Sequence, residues 1–108
     1  MFNLFSTAAK PYKSLGGREF KDEYTKSKQP VLIDVRTAAE FSAGSLKNAR
    51  NIDIMSPDFQ KQVSALDKDK DYFVFCRSGN RSGQACSIMA AKGFNVFNLN
   101  GGVGNWPR

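Results

Sequence analysis

The residues best placed to do chemistry in this 108-residue chain stand together as Phe75-Cys76-Arg77-Ser78-Gly79-Asn80-Arg81-Ser82. An apolar run ends abruptly at a thiol, and a segment of helical composition begins at Ser82. Two arginines, a glycine and small polar residues fill the interval. A tight loop of this kind turns backbone N–H groups inward around an anion, and the partial positive charge of a following helix N-terminus adds to them. A thiol held there ionises more readily than a free one, and the thiolate is the nucleophile. Cys76 is therefore the candidate catalytic residue. Arg77, Ser78, Gly79, Asn80, Arg81 and Ser82 are candidate substrate-binding residues.

The chain contains no histidine. Cys-His and Ser-His catalysis and His-ligated metals are excluded at once, so arginines, amides and the helix dipole must activate Cys76. Two cysteines ten positions apart make neither a disulfide framework nor a zinc site, so no metal and no cofactor are expected. The net charge of +6 is spread along the chain, with no basic stripe interleaved with aromatics. That distribution suits a small anionic substrate and speaks against nucleic acid. No window approaches the ~18 apolar residues a membrane span needs. The first residues lack the basic-then-apolar pattern of a signal peptide. The expectation is a cytoplasmic protein with reduced thiols, off the membrane, and a monomer or weak dimer.

These residues must be positioned by the elements around them. Val31-Leu32-Ile33-Asp34-Val35 is a β-branched run with little alternation, as in a strand buried on both faces. Thr37-Ala38-Ala39-Glu40 has the spacing of a capping box and opens a short helix that runs to Ala43 and stops at Gly44. A short strand is expected over 49–54. Ser56-Pro57-Asp58 reads as N-cap, first-position proline and first-turn acid of a helix carrying Phe59, Val63 and Leu66. Tyr72 to Phe75 is the most strand-like segment and delivers Cys76 at its carboxyl end. A helix over 82–92 closes at Gly93, and 96–99 forms a last strand. Upstream, a helix is expected over 14–26, with Phe20 and Tyr24 one turn apart, preceded by a weak strand near Tyr12.

Strands alternating with helices imply a three-layer α/β domain over 11–108, with a mainly parallel sheet of about five strands and helices on both faces. Residues 1–10 read as an N-terminal extension. Ligands of such sheets bind beyond the carboxyl ends of the strands, where Cys76 lies.

From Cys76 to Arg81 the loop is C-x4-R, one residue shorter than the C-x5-R of cysteine-dependent phosphatases, and Phe75 stands where those enzymes usually carry histidine. A smaller ring of amides suits a sulfur atom better than a phosphoryl group. The chain resembles the single-domain rhodaneses. Leu32-Ile33-Asp34-Val35-Arg36 with Glu40-Phe41, then Gly44-Ser45-Leu46 with Ala49-Arg50-Asn51-Ile52, then Cys76 to Ser82, and lastly Leu99-Asn100-Gly101-Gly102 with Trp106, match that family's signatures in order. The resemblance implies a sulfurtransferase. Cys76 would take sulfane sulfur from a donor such as thiosulfate and pass it from a persulfide to cyanide or a thiol, including a protein thiol. It also implies that the loop amides cradle the persulfide and that Arg77 and Arg81 hold an anionic donor. Ser45-Leu46 in place of His-Ile, Asp53 in place of proline and Val103 in place of an aromatic depart from the family pattern, all outside the sulfur loop.

Asp34, Arg36 and Glu40 are secondary candidates, with Arg36 and Glu40 expected to form a structural pair or cap. Cys86 is expected to pack in the core beside Met89 and Ala90, and Trp106 to anchor the C-terminal tail. Two rival functions stand beside sulfur transfer from a small donor. One is a persulfide carrier or partner-binding module with little small-donor turnover. The other is a phosphatase or arsenate reductase.

Overall fold

The computed structural model of the chain describes residues 11–108; the N-terminal extension expected over 1–10 lies outside the described residues. The strands are β1 (Lys13–Leu15), β2 (Pro30–Asp34), β3 (Arg50–Asn51), β4 (Asp71–Phe75) and β5 (Asn95–Leu99). The helices are α1 (Gly17–Lys26), α2 (Ala38–Ala43), α3 (Phe59–Ser64) and α4 (Asn80–Ala91), with a final 3-10 turn over Val103–Asn105. All neighbouring strands pair in parallel, in the order β1-β5-β4-β2-β3. The five-stranded parallel sheet matches the expected α/β class. β4 is central and carries Tyr72, Phe73, Val74 and Phe75 almost wholly buried.

Alternation along the strands divides the core in two. Ile33, Tyr72, Val74 and Val96 face α3 and α4, where they meet Phe59, Val63, Ala85, Cys86 and Met89. Leu32, Phe73, Phe75 and Leu99 face the other way, toward Phe20 of α1 and the C-terminal tail. On that side Phe73 and Phe97, directly paired across β4 and β5, stack at 4.7 Å between ring centroids. Phe20 and Tyr24 each meet both Phe73 and Trp106 edge to face. Each such ring pair adds roughly 0.5–1.5 kcal/mol beyond the area it buries. Trp106 thus anchors the tail, as expected from the sequence.

Element boundaries differ from the sequence expectation in four places. The helix expected over 14–26 starts only at Gly17, because Lys13–Leu15 pairs with β5 as a strand. A Cβ on Gly17 would lie 1.8 Å from the Asn105 carbonyl oxygen, so helix and tail approach where only glycine fits. The strand expected over 49–54 shrinks to Arg50–Asn51, paired with Ile33 and Asp34, although Ile52 and Ile54 N–H still donate to the carbonyls of Asp34 and Val35. Ser56 does not cap α3. Its hydroxyl accepts from Asp58 N–H and its carbonyl from Phe59 N–H, forming a turn that precedes a helix capped at Asp58. The fourth helix begins two residues before Ser82, at Asn80, with Gly79 at its N-cap. Its far end follows expectation: Gly93 has φ +94° and donates to the Ala90 carbonyl, while Phe94 donates to that of Met89.

Candidate active site

The sulfur of Cys76 takes the place of a capping side chain for α4. No side chain caps that helix in the usual way. Gly79 N–H donates to Sγ at 3.0 Å, Ser82 N–H at 3.3 Å, and the Ser82 hydroxyl lies 3.3 Å away. First-turn N–H groups that would otherwise lack partners converge on one sulfur. Gly79 makes the turn with φ +96°, in the left-handed region that favours glycine. Burial alone pushes the Cys76 thiol up, but the Ser82 hydroxyl and the N–H groups of Ser82, Gly79 and Ser78 outweigh it, so the thiol sits below its ordinary pKa. Arg77, Ser78 and Asn80 line the outer, exposed side of the loop.

A second support comes from the tail, which crosses directly over the loop. Val103 N–H donates to the Cys76 carbonyl at 2.8 Å. Gly102 has φ +86°, and a Cβ there would lie 1.9 Å from the Arg77 carbonyl oxygen. Gly102 is thus a steric requirement of the sulfur loop, imposed from the far end of the chain, whereas a Cβ on its neighbour Gly101 would meet the Asn105 side chain. Beside this crossing an open cleft of about 700 Å3 is lined by Arg36, Leu46, Val103, Trp106 and Arg108 among others.

The two loop arginines are not free cations. Arg81 makes a two-point contact with Glu40, Nη1 to Oε1 at 2.7 Å and Nη2 to Oε2 at 3.1 Å. Arg77 Nε is 3.5 Å from the same carboxylate, although its side chain is 73% exposed. Glu40 also closes the capping box of α2, accepting from Thr37 N–H while Thr37 accepts from Glu40 N–H. The Arg81 guanidinium and the Thr37 N–H hold the Glu40 carboxyl well below the usual carboxylate range. Of the structural pair or cap expected of Arg36 and Glu40, the cap forms at Glu40, while Arg36 does not pair with it.

Arg36 turns instead to Asp34. That carboxylate is fully buried and accepts from Arg36 Nε and Nη2, from Arg36 N–H and from the Ser45 hydroxyl. A second bond from Arg36 Nη2 reaches the Gly44 carbonyl. Asn51 completes the strut, its amide donating to the carbonyls of Asp34 and Arg36. Ser45, a departure from the family pattern, is accordingly a partner of Asp34. This cluster ties the β2 end to the C-terminal cap of α2, while Glu40 on the same helix separately holds the loop arginines.

Sequence reasoning missed Asn98. It sits on β5 on the face that Val96 turns toward α4, is 5% exposed, and places Oδ1 2.5 Å from the Ser82 hydroxyl. A lone asparagine in an apolar run carries no local signal of such a contact. Cys86 packs fully buried beside Met89 in the core, as expected. Burial drives its thiol pKa far up, and the neighbouring Cys76 adds to the effect. No cluster of three or more metal-ligating side chains occurs among the described residues. No helix among them is long and apolar enough to cross a membrane.

The sulfur of Cys76 thus sits in a cradle of N–H groups at the carboxyl end of β4, and the chain that carries it is similar to known proteins. The family model for the rhodanese-like domain matches residues 18–108. A sulfurtransferase of Allochromatium vinosum is 37% identical over 79 residues, covering 72% of this chain and 72% of that protein. The thiosulfate sulfurtransferase GlpE of Pseudomonas putida is 33% identical over 86 residues, covering 78% of this chain and 76% of that one. The crystal structure of a rhodanese-related protein from Thermoplasma volcanium superposes with a TM-score of 0.76 at 30% identity, over 88% of this chain and 90% of that one. The chain belongs to the rhodanese-like domain family.

Proposed function

We propose that the protein is a sulfurtransferase that draws sulfane sulfur from thiosulfate through a persulfide on Cys76. The observation that carries this reading is the convergence of two N–H groups and one hydroxyl on a single sulfur whose thiol is shifted toward ionisation. The Cys76 thiolate attacks the outer sulfur of thiosulfate. A Cys76 S–S bond forms, the donor S–S bond breaks, and sulfite leaves with the bonding pair. The terminal sulfur of the persulfide then passes to cyanide or a thiol, which regenerates the thiolate in a double displacement. Cys76 is 0% exposed, so the donor reaches it as the exposed outer residues of the loop move aside. Arg77, the more exposed of the two arginines, meets the anionic donor first, and Arg81 joins it when released by Glu40. Two free, buried cysteines suit a reducing compartment such as the cytoplasm.

Intact-mass measurement after incubation with thiosulfate tests the reading. One added sulfur atom is expected, removable by cyanide and absent in Cys76→Ser. An unchanged mass sinks the donor assignment. The relative named a thiosulfate sulfurtransferase favours catalysis over the carrier reading. Carriage alone would show as a stable persulfide loaded by a protein donor, with negligible turnover of thiosulfate.

A further inference from the structure

The Ser82 hydroxyl has one proton and two neighbours that call for it. Sγ of Cys76 lies at 3.3 Å and Oδ1 of Asn98 at 2.5 Å. The shorter contact takes the proton as the groups now stand, which leaves a serine lone pair facing the sulfur. That arrangement suits a protonated thiol, whose S–H can donate to Ser82 Oγ. It does not suit a thiolate or a persulfide anion, which needs a donor. The remedy lies in Asn98 itself, because a half-turn of its amide exchanges Oδ1 and Nδ2 without displacing the chain.

We propose that Asn98 is a positioning residue whose amide turns with the charge on Cys76 and so directs the Ser82 hydroxyl toward or away from the sulfur. With the thiol protonated, the hydroxyl donates to Oδ1 and Nδ2 donates to the Ser14 hydroxyl at 3.1 Å. When the thiol proton leaves to solvent, the amide turns. Nδ2 then donates to Ser82 Oγ, the Ser82 O–H donates to the sulfur anion, and the Ser14 hydroxyl donates to Oδ1. No covalent bond is exchanged inside the relay. The half-turn gives up the 3.5 Å contact from Nδ2 to the Gly79 carbonyl, which still accepts from Gly83 N–H, and sets Oδ1 beside that carbonyl, a cost the charge on the sulfur must offset. Ser14 lies directly across β1 from Asn98, so the relay crosses two strands and one helix. It opens on a polar recess of about 360 Å3 lined by Tyr12, Ser14, Asn98 and Asn100 among others. An asparagine on the strand face that otherwise supplies apolar core, with every polar atom partnered, fits this task.

The inference rests on the reading of Cys76 as the reactive sulfur, but its test does not depend on any sulfur donor. The pH dependence of Cys76 alkylation by iodoacetamide gives the thiol midpoint, with peptide mapping to assign the label. The charged and titratable groups nearest that sulfur are Arg77 and Arg81 in the loop and Cys86 on α4. Asp34, Arg36 and Glu40 lie on the β2 side, and Tyr12 beyond Gly83. All remain in the variants. Asn98→Leu and Ser82→Ala are each expected to raise the midpoint by about one pH unit. Adding Asn98→Leu to Ser82→Ala is expected to change nothing further, because Asn98 acts only through the hydroxyl. Equal shifts in both backgrounds, or none in the wild type, overturn the relay. A parallel measurement avoids substitution altogether. The Asn98 side-chain amide resonances of the wild type should move with the same midpoint as the thiol, and resonances that stay fixed across it also overturn the relay. A normal alkylation midpoint shift beside failure to take sulfur from thiosulfate would keep the relay and reject only the donor.

Discussion

Cys76 and Cys86 share a chain, a buried core and zero exposure, yet their thiols are shifted in opposite directions. Burial pushes both upward. At Cys86 nothing opposes it, since the side chain lies among apolar neighbours on the inner face of α4. At Cys76 the same dehydration is outweighed by one hydroxyl and three backbone N–H groups. The contrast separates accessibility from reactivity. What distinguishes Cys76 is the direction in which neighbouring N–H bonds point, and that direction is set by the N-terminal turn of the same helix that buries the other cysteine.

The comparison breaks most severely by substitution. Cys76→Ser is expected to remove sulfur transfer by roughly 10³-fold or more, because serine neither forms a persulfide nor ionises in the accessible range. Cys86→Ser should leave turnover within about twofold while costing roughly 1–3 kcal/mol of stability, the penalty for a hydroxyl placed where no partner waits. Steady-state rates beside denaturant unfolding decide it. A Cys86 variant as inactive as the Cys76 variant would show that the two sulfurs act together.

The pH dependence sharpens the contrast. Cys76 should alkylate with a midpoint below that of a free thiol, and Cys86 should stay silent up to pH values that alkylate free thiols fully. The sign for stability differs as well. The Cys76 thiol is lowered in the folded protein, so its ionisation adds stability as pH rises through its folded midpoint toward the unfolded value. The Cys86 thiol is raised, so its contribution is present below the ordinary thiol pKa and is lost above it. Unfolding free energies of Cys86→Ala measured across this range should lose the alkaline decline, and an undiminished decline would assign it to other groups.

Much of this site is legible in the sequence because its chemistry is local. Cys76, Gly79 and Ser82 lie within one loop and one helical turn, and the capping box of Thr37 and Glu40 spans four residues. The central strands are legible for the same reason, since β-branched and aromatic runs report burial directly. What escaped depends on contacts across the fold. Asn98 matters because β5 brings it against a serine sixteen residues earlier, and Glu40 reaches an arginine forty-one residues later. The start of α1 is not legible in the sequence because Ser14 and Leu15 pair with β5 as a strand, a tertiary effect no local window contains.

The Glu40–Arg81 pair offers the finest test of how the two sulfurs differ. Glu40 partly cancels the positive charge that Arg81 presents to Cys76, an attraction that acts in both directions between guanidinium and thiolate. Glu40→Gln removes the carboxylate charge but keeps a side chain able to close the capping box, so α2 should hold. Arg81 is then freer to face an anion. The expected results are a Cys76 alkylation midpoint lowered by a few tenths of a pH unit and a KM for thiosulfate lowered by about twofold to fivefold, with kcat little changed. Cys86 lies on the buried face of α4 among apolar neighbours, so its silence toward alkylation should persist. A raised KM would mean instead that Glu40 holds Arg81 in the orientation the donor requires, and the carboxylate would then belong to the binding site itself.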